Sequence, residues 1–84
     1  MLIVINREWG GFHIPDELVG EFDSKYDDSM EVRTCDLLVN WADSHRGPLK
    51  VVEIPSEATD FRIEDYDGME TVWYVLDGKM HSIY

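Results

Sequence analysis

Residues Phe61–Tyr84 read FRIEDYDGMETVWYVLDGKMHSIY, and this stretch decides the fold. Two Asp-Gly pairs, Asp67-Gly68 and Asp77-Gly78, stand between runs rich in β-branched and aromatic residues. Asp-Gly between such runs is the strongest short-range hairpin signal, because the tight turn needs positive φ at both central positions. The stretch therefore reads as three strands in a meander. The strand DFRIEDY alternates, with Phe61, Ile63 and Asp65 on one face and Arg62, Glu64 and Tyr66 on the other. In TVWYVL both faces are apolar: Val72, Tyr74 and Leu76 share one, Trp73 and Val75 the other. Helices can cover only one of these faces. The second is left for solvent, a curled sheet, a partner or another copy of the chain.

Working outward, LKVVEIP at Leu49–Pro55 is a further strand. MLIVIN at Met1–Asn6 has no polar face and reads as a strand buried on both sides. It inserts into the sheet, with Leu49–Ile54 as its candidate neighbour. Between these strands lie two helical patterns. In HIPDELVGEFDSKY, Ile14, Leu18 and Phe22 recur every fourth residue, Pro15 suits a first helical position, and Gly20 weakens the pattern. In SMEVRTCDLLVNWADSHRGP, Val32, Cys35, Leu38, Val39 and Ala42 make one apolar stripe, widened by Leu37 and Trp41. Ser29 or Thr34 can cap its start, His45 and Arg46 complement its end, and Gly47-Pro48 stops it. The order β, α, α, β, β, β, β predicts one α+β domain over residues 1–84. Its expected form is an antiparallel sheet of four to five strands with two helices packed on one face.

Composition sets limits on function. An 84-residue chain buries only about 60–65% of its unfolded surface, so its core is thin. There are 18 acidic against 7 basic residues, a formal charge of −11. Nucleic acid and membrane surfaces are anionic and would repel it, so direct binding to either is not expected. A basic protein surface is the favoured partner, against the simpler reading that the charge only confers solubility. The single cysteine, Cys35, forms no internal disulfide and suits a reducing cytoplasm. No signal peptide and no apolar run near the roughly 18 residues of a membrane helix is present. A cytoplasmic protein is expected.

Why does the most strand-like segment carry Glu64, Asp65, Asp67, Glu70 and Asp77? An EF-hand loop placed on Gly68 would have Ile63 and Tyr74 at its first and last ligand positions, so calcium is not expected. General acid–base catalysis needs a carboxyl in a cleft, and no nucleophile or oxyanion hole lies nearby. His13, His45 and His81 lack the paired spacing of zinc ligands, and Cys35 sits on an apolar stripe as a small core residue. EWGGF at Glu8–Phe12 lacks the lysine and hydroxyl of a phosphate loop; Trp9 and Phe12 are expected in the core, with an exposed anchor as the alternative. No catalytic residue, metal or cofactor is predicted. The acids read as turn formers and polar-face residues. If they have a further role it is to meet a basic partner, and Asp27, Asp28, Glu64, Asp65, Asp67, Glu70 and Trp73 are the candidate contact residues.

The pieces IVIN…WGGF, Leu38-Val39, LKVVEIP and IEDYDGMETV resemble, in that order, a family of small uncharacterised phage and prophage proteins. The resemblance runs from Ile3 to Phe12, then through Leu49–Pro55 and Ile63–Val72. The middle is shorter than in that family, and WYVLDGKMHSIY departs from its usual tail. The resemblance implies a phage origin and expression in the host cytoplasm, and no reaction. The acidic charge, on a chain of phage origin, suggests a protein that binds and inhibits a host protein, such as a nucleic-acid-handling defence protein, with carboxylates standing in for phosphates in the manner of CRISPR inhibitors that imitate DNA charge. A self-assembling module, through a homodimer, and a small-ligand sponge are the alternatives. Asp16–Glu31 has seven acids and one base, and Glu53–Asp77 eight acids and one base, so two acidic segments are available for such a contact.

Overall fold

The computed structural model describes residues 1–84 as an α+β domain with strands β1 (Leu2–Asn6), β2 (Leu49–Glu53), β3 (Asp60–Tyr66), β4 (Met69–Leu76) and β5 (Lys79–Ile83). Helices α1 (Met30–Arg33) and α2 (Asp36–Ser44) and a 3-10 helix at Asp16–Glu21 lie between β1 and β2. No helix is long and apolar enough to cross a membrane. The five strands form two antiparallel sheets rather than one. β1 pairs with β2, and β3, β4 and β5 form a meander with β4 in the centre.

Three layers result, and β1 explains them. Ile3, Val4 and Ile5 are all fully buried. Val4 and Leu49 face Phe12, Ile14, Val32, Leu38, Val39 and Ala42, which form the helix-side core. Ile3 and Ile5, with Val52 and Ile54, face Val72 on the meander, with Phe61, Ile63, Tyr74 and Ile83 packed around them. The β1–β2 ribbon is thus the middle layer. The Val72 and Tyr74 face of β4 is covered by this ribbon and not by helices, because the apolar second face of β1 needs an apolar partner.

The first helical pattern forms only the 3-10 helix, with Leu18 N–H bonded to the Pro15 carbonyl at 2.9 Å and Phe22 N–H to that of Val19 at 3.2 Å. Gly20 and the like charges Glu17 and Glu21, four residues apart, disfavour a longer α-helix here. Leu18, Val19 and Phe22 still pack on the helix-side core. The second pattern is split at Thr34-Cys35. Ser29 Oγ accepts Val32 N–H and caps α1, while Cys35 takes an extended conformation (ψ 144°) and its carbonyl accepts Val39 N–H to begin α2. Asp67 and Gly68 have φ of 52° and 91°, and Asp77 and Gly78 of 53° and 75°. Both pairs are two-residue turns, closing Tyr66 on Met69 and Leu76 on Lys79.

Candidate functional site

The free edge of β1 organises one end of the molecule. Met1 and Ile54 exchange backbone hydrogen bonds, and Arg7 N–H donates to Pro48. Odd-numbered residues of β1 therefore bond to β2, and even-numbered residues turn their polar groups the other way. Side chains occupy that edge where a third strand would otherwise lie. Arg33 Nη1 donates to the Val4 carbonyl at 3.1 Å, and Asn6 N–H donates to Glu70 Oε1 at 2.8 Å. Arg33 and Glu70 are joined in a bidentate pair at 2.8 and 2.7 Å, each residue 3% exposed. Arg33 Nε donates to the Asp28 carbonyl at 2.7 Å, and its guanidinium lies over the Phe12 ring at 4.3 Å. Every buried polar side-chain atom finds a partner, which a buried ion pair needs if it is not to destabilise the fold.

The β3–β4 turn closes on this node. Asn6 Nδ2 donates to the Gly68 carbonyl at 2.5 Å and to that of Glu8 at 2.6 Å, and Arg7 donates to the Glu70 carbonyl at 2.7 Å. The Gly68 backbone packs directly on that of Gly10 and Gly11. Those two glycines, with φ of 106° and 92°, turn the chain so that Trp9 projects outward. Trp9 meets Tyr66 edge to face at 6.3 Å, and the two side chains stay 65% and 75% exposed. Glu8, Glu64, Asp65 and Asp67, all exposed, belong to the same turn region.

Two sequence expectations are corrected here. Glu70 is not a solvent-facing contact residue: its position on β4 matches that of Val72 and Tyr74, which turn inward, and Arg33 neutralises it. Trp9 is not in the core, because the Gly10-Gly11 turn carries Phe12 inward and leaves Trp9 outside. The other candidate residues separate into two places. Asp28 is exposed, with its carboxylate 4.0 Å from Arg33. Asp27 accepts Ser29 N–H at 3.0 Å. Hydrogen bonds from the Ser29 backbone and then its side chain hold the Asp27 carboxyl below its ordinary value, against a small opposing effect of burial. Asp65 Oδ1 accepts Gly68 N–H at 2.7 Å, and Asp67 sits in the turn. The Arg33–Glu70 pair therefore brings Asp28 and the Asp65–Asp67 turn, from the two separate acidic segments, to one end.

Trp73 lies elsewhere, half-buried on the outer face of the meander, between Arg62 and Ser82 in register. With Asp60, Arg62, Val75 and Met80 it lines an open depression of about 50 Å³. Glu64 bonds Arg62 at 2.8 Å. The histidines are dispersed: His45 stacks on Trp41, His81 stacks on Tyr74, and His13 lies against the Gly11 carbonyl. Sequence reasoning missed Tyr66 and Arg33, and favoured the core over an exposed anchor for Trp9. The parity of Glu70 with Val72 was a usable sign of a buried acid, but nothing local pointed to Arg33 as its counterion.

Fold and site together define a small three-layer α+β protein with an acidic end that carries exposed aromatics. A scan of known protein-family models finds no match, and neither do searches of curated proteins and of solved structures.

Proposed function

We propose that this chain is a phage-derived binding protein that docks its acidic, aromatic end on a basic protein surface in the host cytoplasm and blocks it. Nucleic-acid-handling proteins present such surfaces, and a defence protein of that kind is the narrower form of the reading. The observation that carries it is the exposed Trp9–Tyr66 pair set among Glu8, Glu64, Asp65 and Asp67. Tyr and Trp are the residues that most often anchor interfaces, and a charged rim around them steers association and selects partners. The total charge of −11 adds long-range attraction to a basic surface. The small-ligand reading has less support, since a depression of about 50 Å³ is far below the roughly 300 Å³ at which ligand pockets begin.

The test is capture of partners from host lysate on tagged protein, at low and high salt, followed by mass spectrometry. One basic protein should be enriched at low salt and depleted at high salt, because exposed charges more than about 8 Å apart are screened at physiological ionic strength. Trp9→Ala with Tyr66→Ala, and separately Glu64→Lys with Asp67→Lys, should abolish that capture while the fold survives. A partner held equally by all these variants would place the contact elsewhere and overturn the assignment of this end.

A further inference from the structure

The edge of β5 is built differently from the edges of β1 and β3. On β1 the outward Val4 carbonyl and Asn6 amide are occupied by Arg33 and Glu70. On β3, Asp60 Oδ1 accepts the Phe61 amide at 2.8 Å, and Asp60, Arg62, Glu64 and Asp65 load the strand with charge. Both are devices that keep a strand edge from pairing further. β5, KMHSI, has no proline, no acid and no such cap, and Lys79–Ser82 are all exposed. The two-residue turn makes Leu76–Lys79, and hence Tyr74–His81, hydrogen-bonded pairs within the hairpin. Met80 and Ser82 therefore turn N–H and C=O away from β4, opposite Val75 and Trp73 in register.

We infer that this edge pairs with a second copy of the chain, β5 against β5 and antiparallel, joining two meanders into one six-stranded sheet. Charge makes this strip the place where two copies of an acidic molecule repel least. The molecule carries −11 overall, yet Lys79–Ile83 holds no acidic residue and one lysine, and Arg7 lies 4.8 Å from the Tyr84 ring beyond the strand's end. With the exposed Asp77 in the adjoining turn offsetting Lys79, the strip is close to neutral, and two copies meet through it with their acidic strands β3 on the far sides. With His81 opposite the second copy's His81, each Met80 faces a Ser82. The N–H and C=O of all four outward residues, two from each copy, then bond across the junction. Trp73, Val75 and Met80 share one face of the sheet, and in this arrangement their two copies run into one continuous apolar strip.

Sedimentation velocity on the full chain, from dilute to concentrated, tests this. The mass should rise with concentration from 9.8 kDa toward twice that value. Met80→Pro removes an amide that β4 does not use, so it should hold the chain monomeric with an unchanged circular dichroism spectrum. Should that variant lose its fold, Met80→Lys with Ser82→Lys replaces it, placing like charges across the junction without touching the backbone. A monomer at every concentration overturns the inference. So does a dimer that persists in a folded edge variant, since the contact would then lie on another surface.

Discussion

The two Asp-Gly turns have nearly the same sequence and the same backbone, yet the fold asks different things of them. Asp67-Gly68 and Asp77-Gly78 both put two successive residues at positive φ and both close two-residue hairpins. At Gly78 nothing lies within 4 Å of where a side chain would begin. At Gly68 that position falls against the backbone of Gly10 and Gly11, 2.8 Å from the Gly10 nitrogen and 2.9 Å from the Gly11 Cα. Local turn chemistry is equal in the two places, so any difference in their tolerance measures tertiary packing alone.

Gly68→Ala should break the comparison most strongly. Backbone cannot swing aside as a long side chain can, so the hairpin must lift off Gly10-Gly11 and forfeit the Asn6 bond. A loss above about 4 kcal/mol is expected, comparable to the whole stability of a marginal domain of this size. Gly78→Ala should lose only about 1–2 kcal/mol, the cost of a side chain in the left-handed region. Urea denaturation of the two variants side by side reads the difference. Equal losses would mean that the contact at Gly68 contributes nothing.

Removing the node beneath the first turn should come next. Glu70→Ala leaves the Arg33 guanidinium buried without its counterion and the Asn6 amide without an acceptor. A loss of about 3–5 kcal/mol is expected, whereas Glu64→Ala, which breaks the exposed bridge to Arg62, should lose at most about 1 kcal/mol. Asn6→Ala is smaller than the first, at about 1–3 kcal/mol, because it strips one amide from the Gly68 carbonyl and leaves the ion pair intact. If Glu70→Ala matched Glu64→Ala in urea, the side-chain cap on β1 would have no energetic role.

Much of the fold was legible because it is local. The positive-φ demand of Asp-Gly placed both turns, the doubly apolar run Ile3–Ile5 announced a strand buried on two sides, and the stripe from Leu38 to Ala42 became the buried face of α2. What escaped was long-range. Whether β1 joins the meander or stacks on it depends on what fills its free edge, and that is settled by Arg33 and Glu70, 37 residues apart. The same fact reversed the reading of Glu70 from surface acid to core residue. Trp9 was misplaced because its exposure is decided by the Gly10-Gly11 turn packing on Gly68, a contact between distant segments. Of the contact set, Asp28 and the Asp65–Asp67 turn are brought to one end, while Trp73 lies further along the outer face of the meander that Glu64 and Tyr66 share.

The smallest effect concerns how the clamped end is held at low pH. Asp27 accepts the Ser29 amide just before α1, and α1 carries Arg33 to the node. Its carboxyl is held below the ordinary value of 3.8 by hydrogen bonds from Ser29. The folded form thus binds the proton less readily than the unfolded chain. Its contribution is fully present above the unfolded value and is lost as pH falls through the lowered folded value. Asp27→Asn should therefore be slightly less stable than the parent at neutral pH, and the gap should close only below about pH 3.8. Acid titration followed by circular dichroism reads this. Amide exchange adds the contrast between the two hairpins: the Ser29 and Val32 amides should lose protection in the variant, while those flanking Asp77-Gly78 should not change. A gap that stayed constant through the acid range would show that the Ser29 bonds do not favour the ionised carboxylate, and that the start of α1 is held by the Ser29 cap and Arg33 alone.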